Sequence, residues 1–343
     1  MIRTTRRAAL TATAGLLALT LAGCGTTDLQ EDPADETAAE AATGPVSVTD
    51  QLGRTITLDS PAERVVVLEW QQVEDVLTLG VTPVGVADPD GYRQWVTAET
   101  LPEDVADVGD RAESDLDSIY ALDPDLIIVE AYSTDDEQLT RLEDGDVPVL
   151  ATVGADASGQ IENMKEVFAT IAAALGRTEQ AETVLEEFDA HLAGAKEEVA
   201  DVDLDVTDFV YFDGWIEGGN VVIRPYGEGA LFTELGAELG LTPAWTDEVN
   251  ESYGSGGVDP AYGLAQTDIE GLTAVGDTNL IYANDATTEQ SYVTELEKSE
   301  IWQALPAVQE GRAYAFPPNI WGAGGPLSVM QAVDGYVQIL TQG

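Results

Sequence analysis

The chain has little of three things that many functions require. Its 343 residues include one cysteine and one histidine, and its 14 Lys and Arg stand against 64 Asp and Glu. One cysteine permits no internal disulfide, so the folded part must be held by hydrophobic cores. One histidine, His191, leaves Ser-His catalysis, Cys-His catalysis and a transition-metal cluster without their usual side chains. Positive surface binds nucleic acid and anionic headgroups, so neither is an expected partner. We therefore expect that the chain is not an enzyme and carries no cofactor of its own.

The cysteine lies at the end of a leader-like segment. Three arginines precede an apolar stretch from Ala8 to Leu21, which is shorter than the ~20 residues of a membrane-spanning helix. Small residues then lead to Cys24, an arrangement that resembles the bacterial lipoprotein signal. We expect residues 1–23 to be removed and Cys24 to be lipidated, which would tie the chain to the outer face of the cell membrane. The paired arginines also leave the twin-arginine export route open.

The segment after the cysteine has almost no large apolar residue. Residues 24–45 are mainly Thr, Ala, Asp, Glu and Gly, too little to offset the entropy of ordering, so we expect a disordered tether. Order should begin near Val46, where Val46–Val48 and Arg54–Leu58 alternate like two strands around Asp50–Gly53.

An internal sequence repeat predicts two similar lobes. The segment Ser114–Ile119 recurs as Thr267–Leu272, and Leu79–Pro83 recurs as Leu239–Pro243. The two matches keep the same order along the chain at nearly the same offset. Either match alone could arise by chance, but their shared order favours two similar lobes.

Each half alternates short apolar runs with helical patterns, as α/β folds with buried parallel strands do. The expected strands are residues 64–68, 84–87, 125–129, 147–150, 207–212, 221–223, 279–282 and 312–316. Apolar residues at helical spacing run from Ile161 to Leu175 and stop at Gly176, which predicts a helix long enough to bridge two lobes. We therefore predict an α/β fold with two Rossmann-like lobes, residues 46–158 and 178–343, joined by a single long α-helix within residues 159–177.

Ligands of open α/β sheets bind beyond the carboxyl ends of the strands. The residues expected there are Trp70, Asp88, Tyr132, a turn at Asp213–Trp215, Arg224 and Asn284–Asp285. Together they favour a bulky, partly apolar ligand that carries some negative charge. Taken singly, the aromatic residues have an ordinary alternative as packing residues, and Arg224 has one as the partner of a carboxylate. The glycine-rich segments Gly254–Gly257 and Gly322–Gly325 do not follow strands as phosphate loops do, so we interpret both as turns.

Several segments together carry a resemblance to a known family. They are Arg64–Trp70, Val84–Asp88, Gly91–Trp95, Val108–Arg111, Asp115–Ile119, Asp123–Ile128 and Trp302–Pro306. From about Val46 to Leu340 the chain resembles the ferric-siderophore substrate-binding proteins of ABC importers, and most closely the ferric-hydroxamate binders. The resemblance implies the helical-backbone class of periplasmic binding protein, with a shallow cleft that holds an iron chelate and closes only modestly.

The resemblance also implies site residues. Trp70 and Trp95 would be aromatic walls, Arg111 would contact the chelate's oxygens near iron, and Tyr132 would be its hydrogen-bonding neighbour. Trp321 matches an aromatic contact of the second lobe.

Two further positions depart from the hydroxamate binders. Tyr253 falls where they have tryptophan, and Arg224 falls where they have an apolar residue. The second arginine predicts a more anionic chelate, such as a citrate or carboxylate type. Trp215 completes the expected ligand-binding set because of its place in the predicted turn.

In this family an acidic residue on each lobe docks to arginines of the permease, and the internal sequence repeat aligns Asp117 with Glu270 at those positions. A helix-start carboxylate favoured by the helix dipole is the alternative for either residue.

The resemblance implies a monomeric, lipid-anchored extracytoplasmic protein that captures a ferric siderophore for an ABC permease and its ATPase, with iron held by the siderophore and not by protein ligands. Four alternatives remain open. They are cobalamin binding, haem binding, which the shortage of histidine disfavours, a non-transport sensor or adhesion module, and an enzyme.

Overall fold

The computed structural model describes residues 44–284 and 291–342. The expected signal peptide, the lipidated Cys24, nearly all of the tether and Asp285 lie outside the described residues. The described chain begins with an antiparallel hairpin of β1 (Val46–Thr49) and β2 (Thr55–Leu58), as the alternation predicted. Asp50 holds its turn, because its carboxylate accepts hydrogen bonds from the backbone of Leu52 and Arg54.

The first lobe is a five-stranded parallel sheet with helices between its strands. Its elements are β3 (Val65–Val67), α1 (Trp70–Thr78), β4 (Gly85–Val86), α2 (Pro89–Trp95), β5 (Ala106–Asp107), α3 (Leu116–Ala121), β6 (Leu126–Glu130), α4 (Glu137–Glu143) and β7 (Val149–Thr152). The strands lie in the order β5-β4-β3-β6-β7. The chain order therefore reverses between β3 and β6, which is where doubly wound sheets open a crevice.

Two helices follow the first sheet, α5 (Gln160–Leu175) and α6 (Thr178–Ala200). Helix α5 ends at Gly176, whose φ of 64° favours glycine, so the predicted helix is confirmed. Phe168 of this helix packs in the core of the first lobe, whereas Met164 packs in the core of the second. Helix α5 therefore joins the two lobes. Within the described ranges, no helix combines the length and apolar character needed to cross a bilayer.

The second lobe repeats the plan with an added hairpin. Its elements are β8 (Asp208–Glu217), β9 (Asn220–Pro225), α7 (Leu231–Glu238), β10 (Thr242–Pro243), α8 (Asp247–Tyr253), a 3-10 helix (Ile269–Val275), β11 (Asn279–Ala283), α9 (Tyr292–Lys298), α10 (Glu300–Ala304), α11 (Pro306–Gln309), β12 (Ala313–Phe316) and α12 (Pro326–Gln342). Four strands run parallel in the order β10-β8-β11-β12, and β9 pairs antiparallel with β8.

The hairpin corrects one sequence prediction. Asp213–Trp215 is not a turn beyond a strand, because β8 continues to Glu217 and reverses at Gly218 and Gly219. Both glycines have positive φ, 57° and 85°, as two-residue hairpin turns require. Arg224 consequently lies within β9 and not beyond a strand end.

The internal sequence repeat corresponds to equivalent structural elements in the two lobes. Asp115 caps the start of α3 and Asp268 caps the 3-10 helix, and each of these elements leads into a central strand of its sheet. Helices α1 and α7 both end in a leucine followed by a glycine of positive φ, Gly80 and Gly240. The prediction of two similar α/β lobes is confirmed.

Candidate functional site

A cavity of about 570 Å³ lies between the lobes at the carboxyl ends of the sheet strands. Its volume falls in the range of roughly 300–1,000 Å³ that is typical of small-molecule sites. Glu69 follows β3, Glu130 ends β6, and Asn284 follows β11, so the strand-end rule places the cavity correctly. The polar and aromatic lining residues are Glu69, Gln71, Trp95, Arg111, Glu130, Gln160, Tyr211, Asp213, Trp215, Arg224, Tyr226, Tyr262, Asn284, Tyr292, Asn319 and Trp321.

On the first lobe, an arginine lies over an indole ring. The guanidinium carbon of Arg111 is 4.0 Å from the ring centroid of Trp70 and 5.6 Å from that of Trp321. This geometry supports a cation–π interaction. One guanidinium nitrogen also lies 2.5 Å from Oε1 of Glu69, and the Arg111 side chain is 33% exposed. Arg111 is therefore held in place while part of its donor fork faces the cavity.

The indole ring of Trp70 packs against the guanidinium group of Arg111. Trp70 is buried, its indole N–H donates to the carbonyl of Asp88 at 3.2 Å, and its ring meets Trp321 edge-on with centroids 4.8 Å apart. Trp321 belongs to the segment between β12 and α12, so this aromatic pair joins the two lobes. The family resemblance predicts Trp70 as an aromatic wall, but its ring packs against Arg111 and does not line the cavity.

The β8–β9 hairpin presents a second arginine. Arg224 lies directly opposite Asp213 in the strand register. Its Nε donates to Oδ1 of Asp213 at 2.8 Å and a terminal nitrogen donates to Oδ2, so the pair is bidentate. The Tyr226 hydroxyl donates to the same Oδ2 at 3.2 Å. The sequence left open whether Arg224 pairs with a carboxylate, and in the structure it pairs with Asp213.

Strand alternation explains why these side chains share one face. Tyr211, Asp213 and Trp215 are two residues apart along β8. Arg224 lies in β9 and Tyr226 directly follows that strand, two residues on, so all five point to the same side of the hairpin. Burial by itself lowers the pKa of Arg224. The hydrogen bond and the charge of Asp213 raise it by more, so the pKa of Arg224 lies above its ordinary value. Arg224 therefore remains charged.

A carboxyl group at the end of β6 links the lobes through a tyrosine. The Tyr262 hydroxyl donates to Glu130 with both carboxyl oxygens at 3.1 Å, and the Tyr132 hydroxyl bonds to the same group. Burial and the nearby Glu69 charge raise the pKa of Glu130 to about 7. Gly154 leaves room for this carboxyl, because a Cβ there would lie 1.9 Å from Glu130 Oε2.

The structure brings five of the eight predicted ligand-binding residues to the cavity, namely Trp95, Arg111, Trp215, Arg224 and Trp321. The other three do not line it.

Each of those three has a local reason. Trp70 is covered by Arg111, Tyr132 is 44% exposed beside Glu130, and Tyr253 is 53% exposed at the end of α8.

Sequence reasoning missed several lining residues. Glu69 adjoins the predicted Trp70, and Tyr211 falls in the alternation of β8, so both had a local signal. Glu130 directly follows the expected strand 125–129, so the strand-end rule applied to it as well. Tyr262 had no local signal, because its contact with Glu130 joins residues 132 positions apart. The segment Gly322–Gly324, interpreted only as a turn, also lines the cavity.

The predicted docking residues lie outside the cavity. Asp117 is exposed in the first turn of α3, and Glu270 is exposed in the first turn of the 3-10 helix. Their role stays a prediction. Among the residues that the structure describes, no group of three or more His, Cys, Asp or Glu side chains is arranged to hold a metal ion.

Comparison with known proteins identifies relatives along most of the chain. A family profile described as "Periplasmic binding protein" matches residues 65–320. The iron(3+)-hydroxamate-binding protein FhuD of Escherichia coli (strain K12) is 27% identical over 271 residues, which cover 79% of this chain and 84% of that protein. The Fe(3+)-citrate-binding protein YfmC of Bacillus subtilis (strain 168) is 25% identical over 276 residues, covering 79% and 78%. Among solved structures, the Fe3+–Desferal-bound siderophore-binding protein FhuD of Vibrio cholerae has a TM-score of 0.65 and 26% identity, covering 81% of this chain and 97% of that one.

Proposed function

Because the chain belongs to the periplasmic binding protein family, we propose that it is an extracytoplasmic receptor that captures a ferric siderophore and delivers it to an ABC importer. One observation carries this proposal. The cavity between the two lobes is lined by one guanidinium group from each lobe, and each lies near an indole ring, Arg111 over Trp70 and Arg224 over Trp215.

This arrangement suits an organic iron complex. Siderophore donor oxygens carry negative charge, and guanidinium groups bind such oxygens with directed hydrogen bonds. Within the part of the chain that the structure describes, Arg111 donates to Glu69 from one terminal nitrogen, so its other N–H groups can bind a ligand. The rings of Trp95, Trp215 and Trp321 cover the apolar scaffold. Iron enters as cargo inside its chelate, and the protein binds the complex without catalysing a reaction.

The lipid anchor is part of the proposal. Cys24 at the end of a signal-like segment supports diacylation, which would hold a monomeric receptor beside the permease and its ATPase. Expression in a bacterium fed labelled palmitate should label the wild-type chain and should not label Cys24→Ala. Equal labelling of both chains would exclude Cys24 as the anchor.

Tryptophan fluorescence tests the binding function. Four of the six tryptophans, Trp70, Trp95, Trp215 and Trp321, lie in or beside the cavity, so a bound chelate should quench the emission of the purified protein. The panel comprises a ferric hydroxamate, ferric citrate, a ferric catecholate, haem and cobalamin. Saturable binding of at least one ferric chelate supports the proposal. Binding of cobalamin or haem alone would replace it with the corresponding alternative.

Arginine variants locate the binding to this cavity. Arg111→Ala and Arg224→Ala should each weaken the best ferric ligand about tenfold or more, because a hydrogen bond to a charged group contributes roughly 1.5–3 kcal/mol. The matched control is Arg141→Ala, which removes an exposed arginine at the end of α4, outside the cavity. If both cavity variants bound as tightly as this control, the site would lie elsewhere.

A further inference from the structure

The two arginines of the cavity do not make it positive. The charged groups among its described lining residues are three carboxyl groups, Glu69, Glu130 and Asp213, and two guanidinium groups, Arg111 and Arg224. The lining is therefore close to neutral when Glu130 is protonated and carries one negative charge when it is ionised. The number of arginines alone predicted an anionic chelate, but the carboxyl groups between them remove that reason.

The carboxylate beside Arg224 is built into the fold. Asp213 and Arg224 face each other across paired strands, and two hydrogen bonds hold them side-on. Tyr226 adds a third bond to the same carboxylate. The Asp213 side chain is 18% exposed, so parting the pair would leave a charge that water covers poorly. A ligand must therefore accept hydrogen bonds from Arg224 while its oxygens remain near the Asp213 carboxylate.

The electrostatic field of the whole chain also disfavours anionic ligands. Its formal net charge is −50, which disfavours approach of an anion, although salt screens this effect beyond about 8 Å at physiological ionic strength. Ferric chelates differ widely in charge, because three hydroxamates neutralise ferric iron whereas three catecholates leave a trianion. Charge is thus a property by which this cavity can discriminate among them.

We infer that Asp213 is a specificity-determining residue that biases the cavity toward ferric chelates of low net charge and against trianionic ones. This inference rests on the proposed function. Asp213 acts by cancelling the charge of Arg224 while leaving its remaining N–H groups as donors, so the second lobe offers hydrogen bonds without a surplus positive charge.

The test compares two ligands in two proteins. A neutral ferric trihydroxamate and a trianionic ferric tris-catecholate are titrated into wild type and Asp213→Asn, which keeps the shape of the side chain and removes its charge. The variant should bind the trianion about tenfold more tightly relative to the neutral chelate than wild type does, as expected for one unit charge in a partly desolvated site. Because the result is a ratio of ratios, differences between the organic scaffolds cancel.

Two further variants keep the test sharp. Asp189→Asn removes an exposed carboxylate that pairs with Lys165 on α5, outside the cavity, and should leave the ratio unchanged. Glu69→Gln removes the carboxylate beside Arg111 and should shift the ratio in the same direction as Asp213→Asn, which covers the case in which the latter does not fold.

The outcomes separate the two claims. If wild type binds ferric chelates but folded Asp213→Asn does not move the ratio, or Asp189→Asn moves it equally, the inference is overturned and the proposed function stands. If Asp213→Asn does not fold, an unchanged ratio in Glu69→Gln overturns the inference. If wild type binds no ferric chelate, both fail.

Discussion

Replacement of Glu130 by glutamine should stabilise the protein at alkaline pH and have little effect in acid. The Glu130 carboxyl group lies at the end of β6, where burial is the main reason that its pKa rises from 4.5 to about 7. The negative charge of Glu69 raises the pKa further, and the hydroxyl groups of Tyr262 and Tyr132 oppose the rise without cancelling it. The folded state therefore favours the protonated carboxyl.

The sign follows from the order of the two pKa values. The unfolded chain ionises near pH 4.5 and the folded chain near pH 7, so the unfolded state releases its proton first as pH rises. The free energy of unfolding therefore falls between these values and levels off above pH 7. A difference of about 2.5 between the pKa values corresponds to a loss of roughly 3 kcal/mol at pH 8 and less than about 1 kcal/mol at pH 5.

Glutamine resembles the protonated acid because it is neutral and keeps an oxygen that accepts from Tyr262. Glu130→Gln should thus raise the free energy of unfolding by about 2–3 kcal/mol at pH 8 and by less than about 1 kcal/mol at pH 5. Urea denaturation at both pH values, followed by circular dichroism, measures the difference. The control is Glu166→Gln, an exposed position on α5, which should give the same small effect at both pH values.

Two results would refute the reasoning. One is an equal effect of Glu130→Gln at pH 5 and pH 8. The other is a variant that is less stable than wild type at pH 8, which would mean that the ionised carboxylate is favourable in the fold.

Three other perturbations have expected outcomes. Arg111→Lys should weaken ferric chelate binding about tenfold in a fluorescence titration, because an ammonium group loses the fork and the stacking of a guanidinium. Simultaneous reversal of Asp117 and Glu270 to lysine should abolish iron uptake by cells while the affinity of the purified protein stays unchanged. Ser328→Ala should lower the free energy of unfolding by about 1–3 kcal/mol, and more at pH 8 than at pH 5, because the lost hydroxyl donates to buried Glu74 and stabilises its ionised form, whereas the backbone N–H that also donates there is retained.

Controls distinguish these effects from misfolding. Arg111→Lys should retain the thermal unfolding midpoint of wild type, and unchanged affinity would contradict a direct role for the guanidinium. Unchanged uptake after the double reversal would remove both docking assignments. A Ser328→Ala effect of the same size at both pH values would contradict stabilisation of ionised Glu74.

Local patterns predicted the elements of this fold well. Helix α5 was expected from Ile161 to Leu175 and runs from Gln160 to Leu175, because apolar spacing and a terminal glycine are properties of the helix itself. Seven of the eight expected apolar runs became parallel strands for the same reason, whereas the eighth, residues 221–223, lies in the antiparallel strand β9. The β8–β9 hairpin was missed although Gly218 and Gly219 mark its turn, because the strand continues through polar residues beyond the apolar run.

The position of the cavity and its two arginines could be predicted from the sequence, but the carboxylates that pair with these arginines could not. The scarcity of cations drew attention to Arg111 and Arg224, and both line the cavity. Their partners were not identified, since Asp213 meets Arg224 through strand register and Glu69 meets Arg111 across 42 positions of sequence.

The amino-acid sequence by itself determined the two α/β lobes, the helix between them and the edge of the sheets at which a ligand site forms. These follow from the periodicity of apolar residues and from the direction of parallel strands, which short segments encode. Only the tertiary structure decided that Trp70 supports Arg111 from below, that Glu130 meets Tyr262 and that Asp213 cancels Arg224. Charge and burial at a site depend on which distant side chains pack together, and in a chain with so many carboxyl groups no local pattern selects the few that do.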